Sequence, residues 1–117
     1  MFTSIRTSRA NKEIVTELTQ KLALGPENVI ARIALAHSLA QDRKLDLKEI
    51  QDSQGKEYSR KVLLGDNEPF YIALICQHYG LYKTNKDIPR YLKMHVDDGL
   101  GLISEKIVKN SYLSGVE

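Results

Sequence analysis

The glycine and proline at positions 25 and 26 constrain the fold of this chain more than any other feature of its sequence. Glycine ends a helix at no steric cost because it adopts the left-handed conformation readily, and proline is tolerated in the first turn of the next helix. The step therefore predicts two helices, at about residues 8–24 and 26–41, with a tight connection. Such a pair is typical of helix-turn-helix proteins and of ordinary helical hairpins.

Apolar residues at helical spacing support the first of these helices. Ile14, Leu18 and Leu22 fall on one stripe of it. The hydroxyl of Thr7 or Ser8 can accept from the free backbone N–H groups at its start, so either residue is predicted to be its N-cap.

Three further helices are predicted in the second half of the chain. Their apolar patterns cover about residues 68–82, 87–98 and 102–113. Gly99 and Gly101 lie between the last two patterns. Because glycine weakens a helix interior, these residues predict a break there.

Two segments are less regular. Residues 2–6 alternate loosely and predict either a short strand or an extended arm, while residues 42–66 leave both helix and strand open. A length of 117 residues suits one domain, over residues 1–117. The sequence as a whole predicts a mainly α fold, a compact bundle of about five helices with a short N-terminal strand or extended arm.

Cysteine content and hydropathy bound the class of protein. Cys76 is the only cysteine, which excludes an internal disulfide framework and a Cys-pair zinc module. No apolar run approaches the roughly 20 residues that cross a bilayer, and residues 1–6 lack an apolar signal core. We therefore expect a cytoplasmic protein with no membrane partner.

Basic residues form two local clusters, although the net charge is only +2. Cations near a helix start, or several within one short segment, can contact DNA phosphates without reading bases. An oligomer would multiply such a basic face. Such clusters are more often simply solvated faces. On local charge, the predicted DNA-binding residues are Arg6, Arg9, Lys12, Lys21, Lys56, Arg60 and Lys61.

Arg32 stands apart from these clusters because it lies in the strongly apolar second helix. We expect a partly buried structural ion pair there, with Asp52 or Glu57 as the partner.

Motifs for catalysis or metal binding are weak. His95 with Asp97 and Asp98 could form a metal or acid–base site, but capping aspartates at a helix end before Gly99 are the more common explanation. Cys76 and His78 would point in different directions on a helix. No catalytic residue, metal site or cofactor is predicted.

Aromatic and basic residues alternate in Tyr79-Gly80-Leu81-Tyr82-Lys83. Such a segment could stack on unpaired bases. Amphipathic rings at an interface are the more frequent explanation.

Several short motifs, taken in order, are similar to those of the DndE family. DndE is the small E component of the bacterial Dnd DNA phosphorothioation system. The resemblance covers nearly the whole chain and is carried by Thr7-Ser8, Arg32-Ile33-Ala34 with Ser38-Leu39, Asp52, Gly55-Lys56-Glu57-Tyr58, Leu63-Leu64-Gly65, and His95 with Gly99-Leu100.

The resemblance implies a small cytoplasmic protein that acts with a cysteine desulfurase, an adenylylation-type sulfur-transfer protein and an ATPase. Together these proteins replace a non-bridging phosphate oxygen of DNA with sulfur. The resemblance further implies a homotetrameric, non-enzymatic accessory that binds double-stranded DNA, with a preference for nicked duplex.

Two alternatives remain open. The chain could be a protein–protein adaptor that recruits or regulates the other sulfur-modification subunits. It could also be an enzyme that uses His95, Asp97, Asp98 or Cys76 in sulfur handling, although a thiol in an apolar helix would be protonated and inert.

Overall fold

The structure is a computed structural model that describes residues 2–114, with side chains described up to Lys109. Four helices of twelve or more residues and one single-turn helix account for most of the chain, which confirms the mainly α prediction. They are α1 (Arg9–Leu22), α2 (Glu27–Ala40), α3 (Arg60–Leu64), α4 (Glu68–Tyr79) and α5 (Ile88–Ser114). Short 3-10 turns cover Leu47–Glu49 and Gly65–Asn67.

A two-stranded antiparallel sheet joins the start of the chain to its middle. Strand β1 (Ser4–Arg6) pairs with β2 (Glu57–Ser59), and Ile5 lies opposite Tyr58. Both of these side chains are buried in the core. The N-terminal segment is therefore a short strand, one of the two predicted alternatives.

Helix α1 begins as predicted and ends earlier than predicted. Ser8 is its N-cap, because the Ser8 hydroxyl accepts from the backbone N–H of Asn11 at 3.3 Å. The helix ends at Leu22, and Ala23 takes the left-handed conformation with φ of 50°. Gly25, with φ of 97°, lies in the connection that follows. The predicted helix end near Leu24 was therefore wrong by part of a turn.

Helix α5 runs without interruption through both of the glycines that were predicted to break it. Gly99 lies where α5 crosses α2, and a Cβ built on it would be 1.9 Å from the carbonyl oxygen of Ala34. Glycine is needed there because the two helix backbones approach too closely for any side chain. The prediction of two separate helices was wrong because this glycine allows helix packing instead of ending a helix.

The irregular segment 42–66 contains both kinds of structure. Strand β2 leads directly into α3, whose Leu63 and Leu64 are fully buried. Arg32 of α2 closes this region: its Nε donates to the carbonyl of Leu63 at 2.7 Å, and Nη2 donates to that of Val62 at 2.9 Å. The expected ion pair of Arg32 with Asp52 or Glu57 was wrong, since the arginine satisfies backbone carbonyls near the end of α3.

Candidate nucleic-acid interface

Three of the predicted DNA-binding residues line one shallow groove beside α1. Arg9 and Lys12 come from the first turn of the helix, and Lys56 comes from the segment that precedes β2. The groove also contains the carboxylates of Glu13 and Glu17, so its charge is mixed. The backbone N–H of Arg9 donates to Asp52 Oδ1 at 2.8 Å, and the side chain of Arg9 is exposed.

Three of the predicted DNA-binding residues form ion pairs with carboxylates of the same chain. A cation in an ion pair is a weaker phosphate ligand, because part of its charge is already neutralised. The pairs are Arg6–Glu57 at 3.2 Å, Lys56–Glu27 at 3.4 Å and Arg60–Glu68 at 2.7 Å.

The other four predicted residues are exposed, and none has a carboxylate within 4.0 Å among the side chains that the structure describes. They are Arg9, Lys12, Lys21 and Lys61. Lys21 lies in the last turn of α1 and Lys61 lies on α3, so neither lines the α1 groove. The seven residues thus do not form one patch on a single chain.

A second basic groove was missed by the sequence analysis. It has a volume of about 370 Å³, and its lining cations are Arg6 of β1 and Arg90 and Lys93 of α5. Each of them also forms an ion pair, and the Lys93 side chain is buried. No Asp or Glu is among its described lining residues. We call it the Arg90 groove, with lining residues that include Ser4, Arg6, Gln51, Ser53, Pro89 and Arg90. No local signal in the sequence points to it, because its walls come from three distant segments.

His95, a candidate for the enzyme hypothesis, is fully buried in a chain of hydrogen bonds. The Ser38 hydroxyl donates to Asp98 Oδ2 at 2.7 Å and lies 2.8 Å from His95 Nδ1. Because the only hydroxyl proton of Ser38 is committed to Asp98, Nδ1 of His95 carries a proton and donates to Ser38. His95 Nε2 therefore accepts from the hydroxyl of Tyr79, 2.6 Å away.

This arrangement stabilises neutral His95. Burial is the main cause that lowers the pKa of His95 from 6.5 to about 4, and nearby His78 lowers it further. Asp98 acts in the opposite direction but does not compensate. A neutral imidazole with no access to solvent connects α2, α4 and α5, and it has no free nitrogen for a substrate.

The lowered pKa of His95 predicts loss of stability in acid. In the unfolded chain His95 binds a proton below about pH 6.5, whereas in the folded chain it does so only near pH 4. Stability is therefore complete above pH 6.5 and falls on acidification, by about 3 kcal/mol in total. Urea unfolding at pH 7.5 and pH 4.5 measures this. The variant His95→Asn should lose most of the difference, and an equal pH dependence in both proteins would contradict the assignment.

Asp97 and Lys93 form a buried ion pair one turn apart on α5. Lys93 Nζ lies 2.6 Å from Asp97 Oδ2, and both side chains are almost fully buried. The other oxygen of Asp97 accepts from the backbone N–H of Ser8 at 3.0 Å and from Asn11 Nδ2 at 2.7 Å. Asp97 thus holds the start of α1, and with it Arg9 and Lys12. The expected role as a cap at the end of its own helix was wrong.

The remaining residues of the enzyme hypothesis do not form a site. Cys76 is partly buried against the core in α4. Within the described part of the chain, no group of three or more His, Cys, Asp or Glu residues could hold a metal ion. None of the described helices is long and apolar enough to cross a membrane.

Comparison with known proteins identifies relatives. The family model described as "DNA sulphur modification protein DndE" matches residues 4–111. A crystal structure of DndE from Escherichia coli B7A, involved in DNA phosphorothioation modification, superposes with a TM-score of 0.71 at 16% identity, and covers 88% of this chain and 98% of that one. A DndE glycine-to-lysine double mutant superposes with a TM-score of 0.71 at 17% identity, over 87% and 97% of the chains. No curated protein sequence gives a significant match.

Proposed function

We propose that this chain, which belongs to the DndE family of DNA sulphur modification proteins, is a non-enzymatic accessory that binds DNA for phosphorothioation. The proposed ligand is double-stranded DNA, with nicked duplex preferred. The proposed active form is a cytoplasmic homotetramer of one DndE-like domain, residues 1–117, that acts with the other proteins of the Dnd pathway.

The observation that carries this proposal is the set of unpaired cations on the outside of α1. Arg9 and Lys12 are exposed, with no carboxylate within 4.0 Å among the described side chains, and Lys56 lies in the same groove. Phosphate contacts need such cations and no base-reading geometry. Because the groove also contains Glu13 and Glu17, one copy offers only a modest positive charge. Several copies along one duplex would add their contributions, so the proposed tetramer would bind DNA more strongly than one copy.

A nick suits this mode of binding. Interrupted duplex bends at lower cost than intact duplex, so it can follow a basic surface that spans several protomers. The protein needs no sequence-specific contact for this preference. The burial of His95 and Asp97 within the fold supports the proposed non-enzymatic role, because neither side chain is open to a substrate.

The test is a four-residue charge reversal. The variant with Arg9, Lys12, Lys56 and Lys61 all changed to glutamate is expected to lose at least about 100-fold in affinity for nicked duplex, because four phosphate contacts give a log–log salt slope of about −3.6. Mobility shifts at 50 and 200 mM salt measure both affinity and slope, with intact and single-stranded DNA run in parallel.

The matched control reverses four other exposed lysines and so has the same net charge. They are Lys44, Lys48, Lys106 and Lys109. If both variants, still folded, lose affinity equally, the effect comes from net charge and the assigned residues are wrong. If neither variant loses affinity, DNA binding through these clusters is wrong.

A protein–protein adaptor is the second candidate, and the exposed apolar side chains favour it. Phe70 is 60% exposed, and Leu24 and Val62 are each 48% exposed. Large exposed apolar groups support contacts between protein surfaces, either among copies or with a pathway partner. Salt-resistant capture of the ATPase partner, without retention of DNA at moderate salt, would support the adaptor over the DNA-binding accessory.

A further inference from the structure

A pocket of about 550 Å³ opens between the N-terminal segment, the α4–α5 loop and the start of α5. This volume is within the range of sites that bind small molecules. We call it the Phe2 pocket. Its lining includes Phe2, Ile72, Lys83, Lys86, Ile88 and Pro89.

The lining of the Phe2 pocket combines an apolar interior with a basic rim. Phe2, Ile72 and Ile88 supply apolar surface, and the exposed Lys83 and Lys86 supply positive charge. No Asp or Glu is among the described lining residues, in contrast to the mixed groove on α1. Neither lysine has a carboxylate within 4.0 Å in the described structure. A ligand with a flat apolar part and an anionic part complements this arrangement.

The walls of the pocket are held in place by the fold. Arg60 fixes Phe2, since its Nη1 donates to the Phe2 carbonyl at 3.0 Å and its guanidinium carbon lies 5.8 Å from the ring centroid. In the opposite wall, the Asn85 side chain accepts from the backbone N–H of Asp87 at 2.8 Å. Tyr82, next to Lys83, is 87% exposed. The pocket is thus preformed. The exposed ring of Tyr82 is next in sequence to Lys83 of the basic rim.

The Phe2 pocket and the Arg90 groove share one lining residue, Pro89. The groove is also lined by Arg6 and Arg90. Both arginines form ion pairs, with Glu57 and Asp87 at 3.2 and 3.3 Å, which weakens them as phosphate ligands. Their side chains are 50% and 52% exposed, so phosphates can still reach them. Cations beside an apolar pocket are typical of sites that bind single-stranded nucleic acids, with phosphates on the cations and bases against apolar or aromatic surface.

We propose that the Phe2 pocket binds one unpaired nucleotide at a strand end of DNA, with the adjoining phosphates in the Arg90 groove. The proposal rests on the proposed DNA-binding function and adds a second contact to it. The base would lie against Phe2 and Ile88, and the lysines would hold its phosphate. A short flap supplies such a nucleotide, and a strand end at a nick supplies it only when its base pair opens, whereas intact duplex does not supply it.

The test uses the intact protein and a nicked duplex with a single unpaired 5′ nucleotide that carries 2-aminopurine. Wild-type protein is expected to bind this flap DNA more tightly than fully paired nicked DNA and to change the 2-aminopurine fluorescence. Thr84→Trp, an exposed position on the pocket lining, fills the pocket and should reduce flap affinity by about tenfold, which is the scale of one stacked base. Affinity for intact duplex should change less than twofold.

A second variant tests the rim if the tryptophan disturbs folding. Lys83→Ala with Lys86→Ala should weaken flap binding with a smaller salt slope, and Lys44→Ala with Lys48→Ala, which do not line the pocket, should not. Unchanged flap binding and fluorescence in both pocket variants, with DNA binding otherwise normal, would overturn the pocket assignment alone. If wild-type protein binds none of these DNAs, the proposed function fails and the pocket proposal fails with it.

Discussion

Replacing Gly99 with alanine is expected to cost more than about 4 kcal/mol of folding stability, a loss at the extreme of single substitutions. The new Cβ would lie 1.9 Å from the carbonyl oxygen of Ala34 and 2.4 Å from its carbonyl carbon. These are backbone atoms in the middle of α2, so no side chain can rotate to make room. The two helices would have to separate, and the buried residues between them, Leu35 and Leu100 among them, would lose packing.

Gly101 provides the matched control for this prediction. It lies two positions further along the same helix, and a Cβ built on it meets nothing within 4 Å. Gly101→Ala is expected to stabilise the protein by about 0.5–1 kcal/mol, because alanine favours a helix interior over glycine. Urea unfolding should show a loss of folding stability for Gly99→Ala and a gain for Gly101→Ala, although the chemical change is the same. Similar effects in the two variants would contradict the close approach of α2 and α5 at Gly99.

These two glycines illustrate what the sequence could and could not predict of the fold. Local signals were reliable where the cause was local: the Ser8 cap and the start of α2 after Pro26 are both present. Gly99 was misinterpreted because its role depends on a helix 65 residues earlier, around Ala34. From the sequence alone, a glycine that allows two helices to touch is identical to a glycine that ends one.

Non-local pairing limited the interpretation of the short strands as well. Ile5 and Tyr58 lie opposite each other in a sheet of three-residue strands, and segments that short have little pattern of their own. Each strand is defined by its partner. This also explains why residues 42–66 remained undetermined, since β2 has three residues and α3 has five.

The candidate site, like the fold, could be predicted from the sequence only in part. Clusters of cations are visible in a sequence, and the α1 groove brings Arg9, Lys12 and Lys56 together. Their ion pairs were not visible, because Glu27 and Glu68 approach Lys56 and Arg60 only through the fold. The Phe2 pocket could not be predicted from the sequence, since its walls come from the N-terminal segment, α4, the following loop and α5.

Asp97→Ala is expected to cost about 3–5 kcal/mol, the usual penalty for removing one partner of a buried ion pair. Lys93, which is 5% exposed, would keep a buried ammonium group with no counter-ion. The backbone N–H of Ser8 and the amide of Asn11 would lose their acceptor at the start of α1. The loss should appear as a lower urea midpoint.

A double variant separates the effect of the buried charge from the effect of the hydrogen bonds. Asp97→Asn combined with Lys93→Met removes both charges and keeps a carbonyl oxygen that Ser8 and Asn11 can donate to. This double variant should recover most of the stability lost in Asp97→Ala, since an uncharged, filled site avoids the penalty of a lone buried charge. A cost below about 1 kcal/mol for Asp97→Ala would show that Lys93 reaches solvent, because an exposed pair contributes little.

The same variants connect stability to the proposed function. Asp97 contacts neither Arg9 nor Lys12, and its partner Lys93 is only 5% exposed. Asp97 nevertheless holds the end of α1 from which Arg9 and Lys12 project. Under conditions where Asp97→Ala is still folded, we therefore expect weaker binding of nicked DNA with the salt slope largely unchanged, because the cations remain but are less well positioned. The double variant should restore the affinity together with the stability. Charge reversal of Arg9 and Lys12, in contrast, should lower the slope itself, so the two measurements distinguish a residue that positions the interface from one that contacts the phosphates.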